Sequence, residues 1–276
     1  ATHAWLARKD IVIRWADIDL QSGCIDPNSV ANLMDKTVKA IVAVDWAGHK
    51  PDYNKLKQFG VPVVEDAAHT LRYDEYNRGD FVAHSYQAIK FLTTIDGGSL
   101  IVPEKQYERA RLLRWFGLDR TKNDAFRAGQ DIVEGGFKYH MNDVSAAIGL
   151  GNLPYMASNM NKTLEHTRKY HQAFTGLKKI RYLPPFNVGF SYWLYCLVLE
   201  HGLYGSFNKF MTNAGIIVAK PHRRNDMLTC LEEHINYSLD NVPYYDANYA
   251  AIPNGWWLTD ENVEYIINAV IDWSNK

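Results

Sequence analysis

The sequence predicts an α/β protein: a large domain on a mostly parallel sheet, then a smaller α+β domain. Two observations carry this. In the first half, short β-branched apolar runs alternate with helix-forming segments. Those runs are continuous rather than alternating in polarity, as in strands covered on both faces. In the second half, Pro184-Pro185 marks a linker, followed by an aromatic strand, a helix, a further strand and a closing amphipathic helix. The boundary is placed after residue 150, giving domains 1–150 and 151–276.

The elements follow in order. Residues 11–16 read as a strand ending at Asp17-Ile18-Asp19, and residues 29–35 as a helix. Residues 40–44 form a second strand, 53–59 a short helix, 61–64 a third strand and 81–85 a fourth. Gly97-Gly98 turns the chain into a hairpin partner over residues 98–102. Residues 104–116 are an amphipathic helix. Gly135-Gly136 breaks the chain, and Asn142 or Asp143 caps a new helix at Val144. A helical pattern resumes after Pro154 and runs to about Leu177. Beyond the linker, residues 192–199 and 216–218 read as strands, with helices over 207–213 and 261–273.

Composition narrows the function classes. The 276 residues are 47% hydrophobic and 22% charged, as in an ordinary globular protein. A formal net charge of -1 argues against a general polyanion binder, so no nucleic-acid partner is expected. No apolar run reaches the length of a membrane span, and the first residues lack a signal-peptide pattern. Cys24, Cys196 and Cys230 are isolated, with no CxxC pair and no zinc spacing. Sparse cysteines point to a cytoplasmic protein with reduced thiols. Ten histidines are scattered without HExxH, so no metal is expected.

The chemistry centres on Lys90. It sits in Ser85-Tyr86-Gln87-Ala88-Ile89-Lys90-Phe91-Leu92-Thr93-Thr94-Ile95-Asp96-Gly97-Gly98, downstream of Val61-Pro62-Val63-Val64-Glu65-Asp66-Ala67-Ala68-His69. A lysine in apolar surroundings near a strand-end carboxylate can act as a Schiff-base amine, because burial disfavours its charged form. The bland alternative is a surface lysine with a packed stem. Open parallel sheets place ligands beyond the carboxyl ends of their strands. Asp17 and Asp19, Asp45, and Glu65 with Asp66 all fall at such ends.

These two segments together resemble the DegT/DnrJ/StrS sugar aminotransferases, pyridoxal-phosphate enzymes of the type I aspartate aminotransferase fold. The resemblance extends over residues 109–120, Gly136-Phe137-Lys138-Tyr139-His140-Met141-Asn142-Asp143, and Asp17-Ile18-Asp19 with Ile25-Asp26-Pro27. It implies that Lys90 holds pyridoxal 5'-phosphate and shuttles a proton. It implies that Asp66 pairs with the pyridine nitrogen, that His69 lies near the phenolic oxygen, and that Ser85 binds the phosphate. Lys138 would reach the phosphate site of a neighbouring subunit in a homodimer. His222 and Arg223 would contact substrate, where an arginine suits bidentate recognition of phosphate or carboxylate. The implied substrates are a nucleotide-linked keto-deoxy-sugar and glutamate, in amino-sugar or surface polysaccharide biosynthesis.

Three further expectations follow from the resemblance. Ala1-Thr2-His3-Ala4 is similar to the middle of a family helix, so the large domain is expected to lack its N-terminal part, with incomplete sheet edges and exposed apolar surface. A sugar dehydratase of the same fold carries histidine at the lysine position, and Lys90 argues against it. A reading from another class is a catalytically silent remnant that only dimerises or binds ligand weakly.

Overall fold

A computed structural model of the chain describes residues 10–71, 77–121, 129–231 and 238–276. The expected similarity at Ala1-Thr2-His3-Ala4 lies outside them. The first sheet has four strands in the order β1-β2-β3-β4: β1 (Ile41–Val44), β2 (Val63–Ala67), β3 (Phe81–Ser85) and β4 (Gly98–Ile101). β1, β2 and β3 run parallel, and β4 returns antiparallel to β3 with Ser85 opposite Gly98. This is the mostly parallel sheet expected. β1 and β4 are its outer strands among the described residues.

Two helices accompany this sheet. α1 (Pro27–Leu33) starts where the Asp26 carboxylate accepts from the Asn28 N–H, and α2 (Tyr53–Lys57) where Asp52 accepts from Lys55. Both lie next to a compact cluster of Val30, Ile41, Ala43, Tyr53, Leu56 and Val63. Among the described residues, 11–16 form no strand: Arg14 makes an isolated bridge, and Ile18 bridges antiparallel to Ile25. Asp17 is accordingly not a ligand group at a strand end. Its carboxylate accepts from the backbone N–H groups of Asp240, Asn241 and Val242, each at 2.9 Å. Those donors open a helix that the sequence reading missed, α6 (Asn241–Asn248). Asp19 accepts from Ser22 in a local turn.

After α3 (Glu104–Leu113) comes α4 (Asp143–Phe174), capped by the Asn142 side chain accepting from Ser145. It runs unbroken through Pro154 and through the expected boundary after residue 150. A proline removes one intrahelical hydrogen bond. Here Pro154 and Leu150 are both exposed, so the Leu150 carbonyl it frees faces water.

The second sheet contains β5 (Ile180–Tyr182), β6 (Tyr195–Leu199) and β7 (Tyr249–Ile252), all antiparallel. The expected strand at 216–218 is replaced by a single bridge, Ala219 with Ala251; in that antiparallel register Ile217 would face Pro253, which has no N–H to donate to a ladder. α5 (Tyr204–Asn213) and α7 (Asp260–Asn275) cover one face, along with the end of α4. Tyr170, Phe174, Leu197, Phe207, Met211, Ile252, Ile266 and Trp273 fill that core. The other face carries Cys196, Val198, Tyr245, Tyr249 and Ala251, which close over Ala47 and Trp46 of the first sheet's β1 turn.

That join depends on Gly48. It sits at φ +94°, and a Cβ there would meet the backbone N of Tyr192 at 2.7 Å and of Trp193 at 3.0 Å. The absence of a side chain lets Ser191 N–H donate to Gly48 O and Leu194 N–H to Ala47 O. Gly60 also has positive φ (+74°), but has nothing within 4 Å of its Cβ position. Gly48→Ala is therefore expected to cost roughly 2 kcal/mol or more, and Gly60→Ala roughly 1 kcal/mol. Urea midpoints of the two variants measure the difference; equal losses would remove the close approach as the cause.

Candidate active site

The period-two geometry of β2 sorts its two acids to opposite faces. Val63, Glu65 and Ala67 are buried, whereas Val64 and Asp66 are partly open. Glu65 belongs to an internal ionic network, not to the cavity. Lys50 Nζ lies 2.7 Å from Glu65 and 3.9 Å from Asp45, Tyr53 OH donates to Asp45 at 2.6 Å, and Gly79 N–H donates to Glu65 at 2.7 Å. Burial and the neighbouring Glu65 push the Asp45 carboxyl well above its usual range. Such groups are retained inside only when paired and hydrogen-bonded. Of the three acid clusters expected at the sheet edge, only Asp66 faces the cavity.

The cavity measures about 1160 Å³. Asp66, His69, Ser85, Lys90, His222 and Arg223 all line it, so six of the seven expected site residues are brought together. Lys138 lies elsewhere, exposed and bridged to Trp115. One wall of the cavity is apolar, with Val30 and Leu33 from α1, Met34 just after it, and Val42 from β1.

Lys90 is carried by a turn that closes on itself. Tyr86 O accepts from Thr94 N–H at 2.9 Å, and Gln87 O accepts from Lys90 N–H at 2.9 Å. Thr94 Oγ1 donates to Asp96 O at 2.6 Å, and Thr93 Oγ1 accepts from Ile95 N–H. The two threonines thus hold the loop's shape. Phe91 anchors it, buried against Trp256. Lys90 is 7% exposed. Burial pulls its amine down to about 8, while Asp66 works in the opposite sense. Asp66 is held at its Oδ1 by the Ala68 N–H at 3.1 Å.

His69 is buried, and burial together with the Lys90 charge pushes its pKa down to about 2. Its Nδ1 accepts from the Ala47 N–H at 3.2 Å. The proton of the neutral ring therefore sits on Nε2, which leaves an N–H donor. The ring stacks on Trp193 at 4.1 Å and on His222 at 5.3 Å, with the Trp46 indole 5.5 Å from His222. Burial lowers the His222 pKa as well. Arg224, next to Arg223, is committed to Asp226 through two hydrogen bonds, at 3.0 and 2.5 Å. Ser85, at the end of β3, accepts weakly from Gln87 N–H at 3.4 Å.

Trp193 is the site residue the sequence reading passed over. It lies just before β6, over a hundred positions from Lys90, and nothing local to it signals a site. Among the described residues, no cluster of His, Cys, Asp and Glu is placed to hold a metal ion, and no helix is long and apolar enough to cross a membrane.

The fold thus sets a buried lysine, on a turn after β3, in one cavity with a strand-borne aspartate. The chain belongs to the DegT/DnrJ/EryC1/StrS aminotransferase family, whose model matches residues 1–271. Its structure is similar to AtS13 from Actinomadura melliaura, with TM-score 0.86, 29% identity, and 94% of this chain against 73% of that one. It is also similar to the sugar aminotransferase CalS13 from Micromonospora echinospora, with TM-score 0.85, 26% identity, and 94% against 74%. An uncharacterised protein of Methanocaldococcus jannaschii is 30% identical over 179 residues, covering 59% of this chain and 46% of the relative. The chain thus spans about half the length of that curated relative.

The lowered amine makes a direct prediction. Lys90 should acetylate with a midpoint near pH 8, below the ordinary lysine value near 10.4. Competitive acetylation with peptide mapping reads it, and a Lys90 midpoint at the ordinary lysine value would show that burial does not govern the amine.

Proposed function

We propose that this chain is a pyridoxal 5'-phosphate-dependent aminotransferase acting on a nucleotide-linked keto-deoxy-sugar, with glutamate as amino donor. The observation that carries the reading is the buried, pKa-lowered Lys90 amine sharing one cavity with Asp66, His69 and Ser85. These side chains fit the cofactor. Lys90 would anchor it, Asp66 would pair with its pyridine nitrogen, the His69 Nε2–H would donate to its phenolic oxygen, and the Ser85 hydroxyl would bind its phosphate. The cofactor supplies an electron sink when bound. Lys90 Nζ, neutral above about pH 8, would take the proton from the substrate carbon and return it.

The family membership and the sugar aminotransferase CalS13 support a sugar as substrate class. His222 and Arg223 stand at the cavity rim, where a guanidinium can grip a diphosphate or a carboxylate. Residues 1–150 would hold the cofactor, and residues 151–276 would cover it. Exposed Lys138 would serve a second subunit's phosphate site, in a cytoplasmic homodimer that makes amino sugars for surface polysaccharide.

The test is to mix the protein with pyridoxal 5'-phosphate, reduce with borohydride, and map the product by mass spectrometry. One pyridoxyl group on Lys90 is expected; labelling spread over surface lysines would favour a catalytically silent chain. Asp66→Ala should lower transamination roughly 100-fold or more while part of the Lys90 labelling survives. Full activity in that variant would remove Asp66 from the mechanism.

A further inference from the structure

We propose that Trp193 is a positioning residue for Lys90: its indole face holds the lysine amine at the cavity, and its N–H ties down the turn that carries the lysine. The proposal rests on the reading of Lys90 as the reactive amine. Two contacts support it. Lys90 Nζ lies 3.8 Å from the Trp193 ring centroid. Trp193 Nε1–H donates to Ile89 O at 3.2 Å, so consecutive residues of the lysine turn are engaged by one side chain.

Trp193 is itself fixed from behind. Its flanking residues hydrogen-bond to the β1 turn, Ser191 N–H to Gly48 O and Leu194 N–H to Ala47 O. Its ring stacks on His69 at 4.1 Å, with 25° between the planes. The indole therefore couples the second sheet to the lysine turn of the first, and a shift of either would move the amine.

The electrostatic consequence has a definite sign. A cation over an indole face is favoured over a neutral amine. The groups facing Lys90 are Asp66, which also favours the ammonium, and His69 and His222, both held neutral at pH 8 by burial. Trp193 and Asp66 thus oppose the burial that lowers the amine. Replacing the ring with an aliphatic side chain removes one of the two opposing contributions, and the midpoint should fall further.

Competitive acetylation of the cofactor-free protein across pH tests this, in the natural chain, Trp193→Phe and Trp193→Leu. The Lys90 midpoint should fall by about half a pH unit or more in Trp193→Leu and stay near the natural value in Trp193→Phe. Borohydride-trapped pyridoxal 5'-phosphate on Lys90 should drop several-fold in the leucine variant and recover only in part in the phenylalanine variant, which keeps a ring face but lacks the N–H bonded to Ile89 O. Folding is read on the same samples from near-ultraviolet circular dichroism, which reports the packing of the buried aromatic core. A leucine variant with an unchanged spectrum and an unchanged or raised Lys90 midpoint overturns the proposal. If the natural chain gives no pyridoxyl adduct on Lys90, the reactive-amine reading fails, while the acetylation series still reports whether Trp193 sets the amine.

Discussion

The close approach at Gly48 is the constraint on which the rest of the site depends. The turn after β1 must bend through positive φ and then accept a second strand of backbone against it. The close approach excludes a Cβ and the positive φ disfavours one, although Ala47 next to it carries its Cβ at φ +58°. Once met, Ser191 and Leu194 dock on Ala47 and Gly48, Trp193 lands on His69, and β6 and β7 close over Trp46. The cavity therefore has walls from both sheets. It is set between them, not within either.

The second organising effect is strand parity. A one-residue offset on β2 decides that Glu65 enters a buried ionic network and Asp66 enters the cavity. The network has its own requirement: two acids inside the protein are supported by one lysine, a tyrosine hydroxyl and a backbone N–H. It stiffens the end of β1, from which the Gly48 turn departs. The Asp17 carboxylate does similar work at longer range, closing the first turn of α6 from more than 220 residues away.

The parts legible in sequence were those with local signals. β-Branched apolar runs marked β1 and β2, Gly97-Gly98 marked the hairpin to β4, and Asn142 marked the start of α4. The Lys90 and Asp66 segments were legible because their residue types carry chemistry at a fixed separation. What stayed hidden was non-local. β7 contains Ala250 and Ala251, whose strand state comes from pairing with β6 rather than from propensity. Pro154 looked like a helix break, yet its freed carbonyl meets water. Asp17 looked like a ligand group because its capping role depends on a helix far along the chain. Trp193 gave no signal, since its partners, Ile89, Lys90 and His69, are all distant in sequence.

The most direct measurement of the central claim is a crystal structure of the protein after incubation with pyridoxal 5'-phosphate. The account predicts continuous density from Lys90 Nζ into the cavity, with the pyridine ring within hydrogen-bond reach of Asp66 and the phosphate at Ser85. A cofactor bound at any other lysine, or a ring turned away from Asp66, would contradict it.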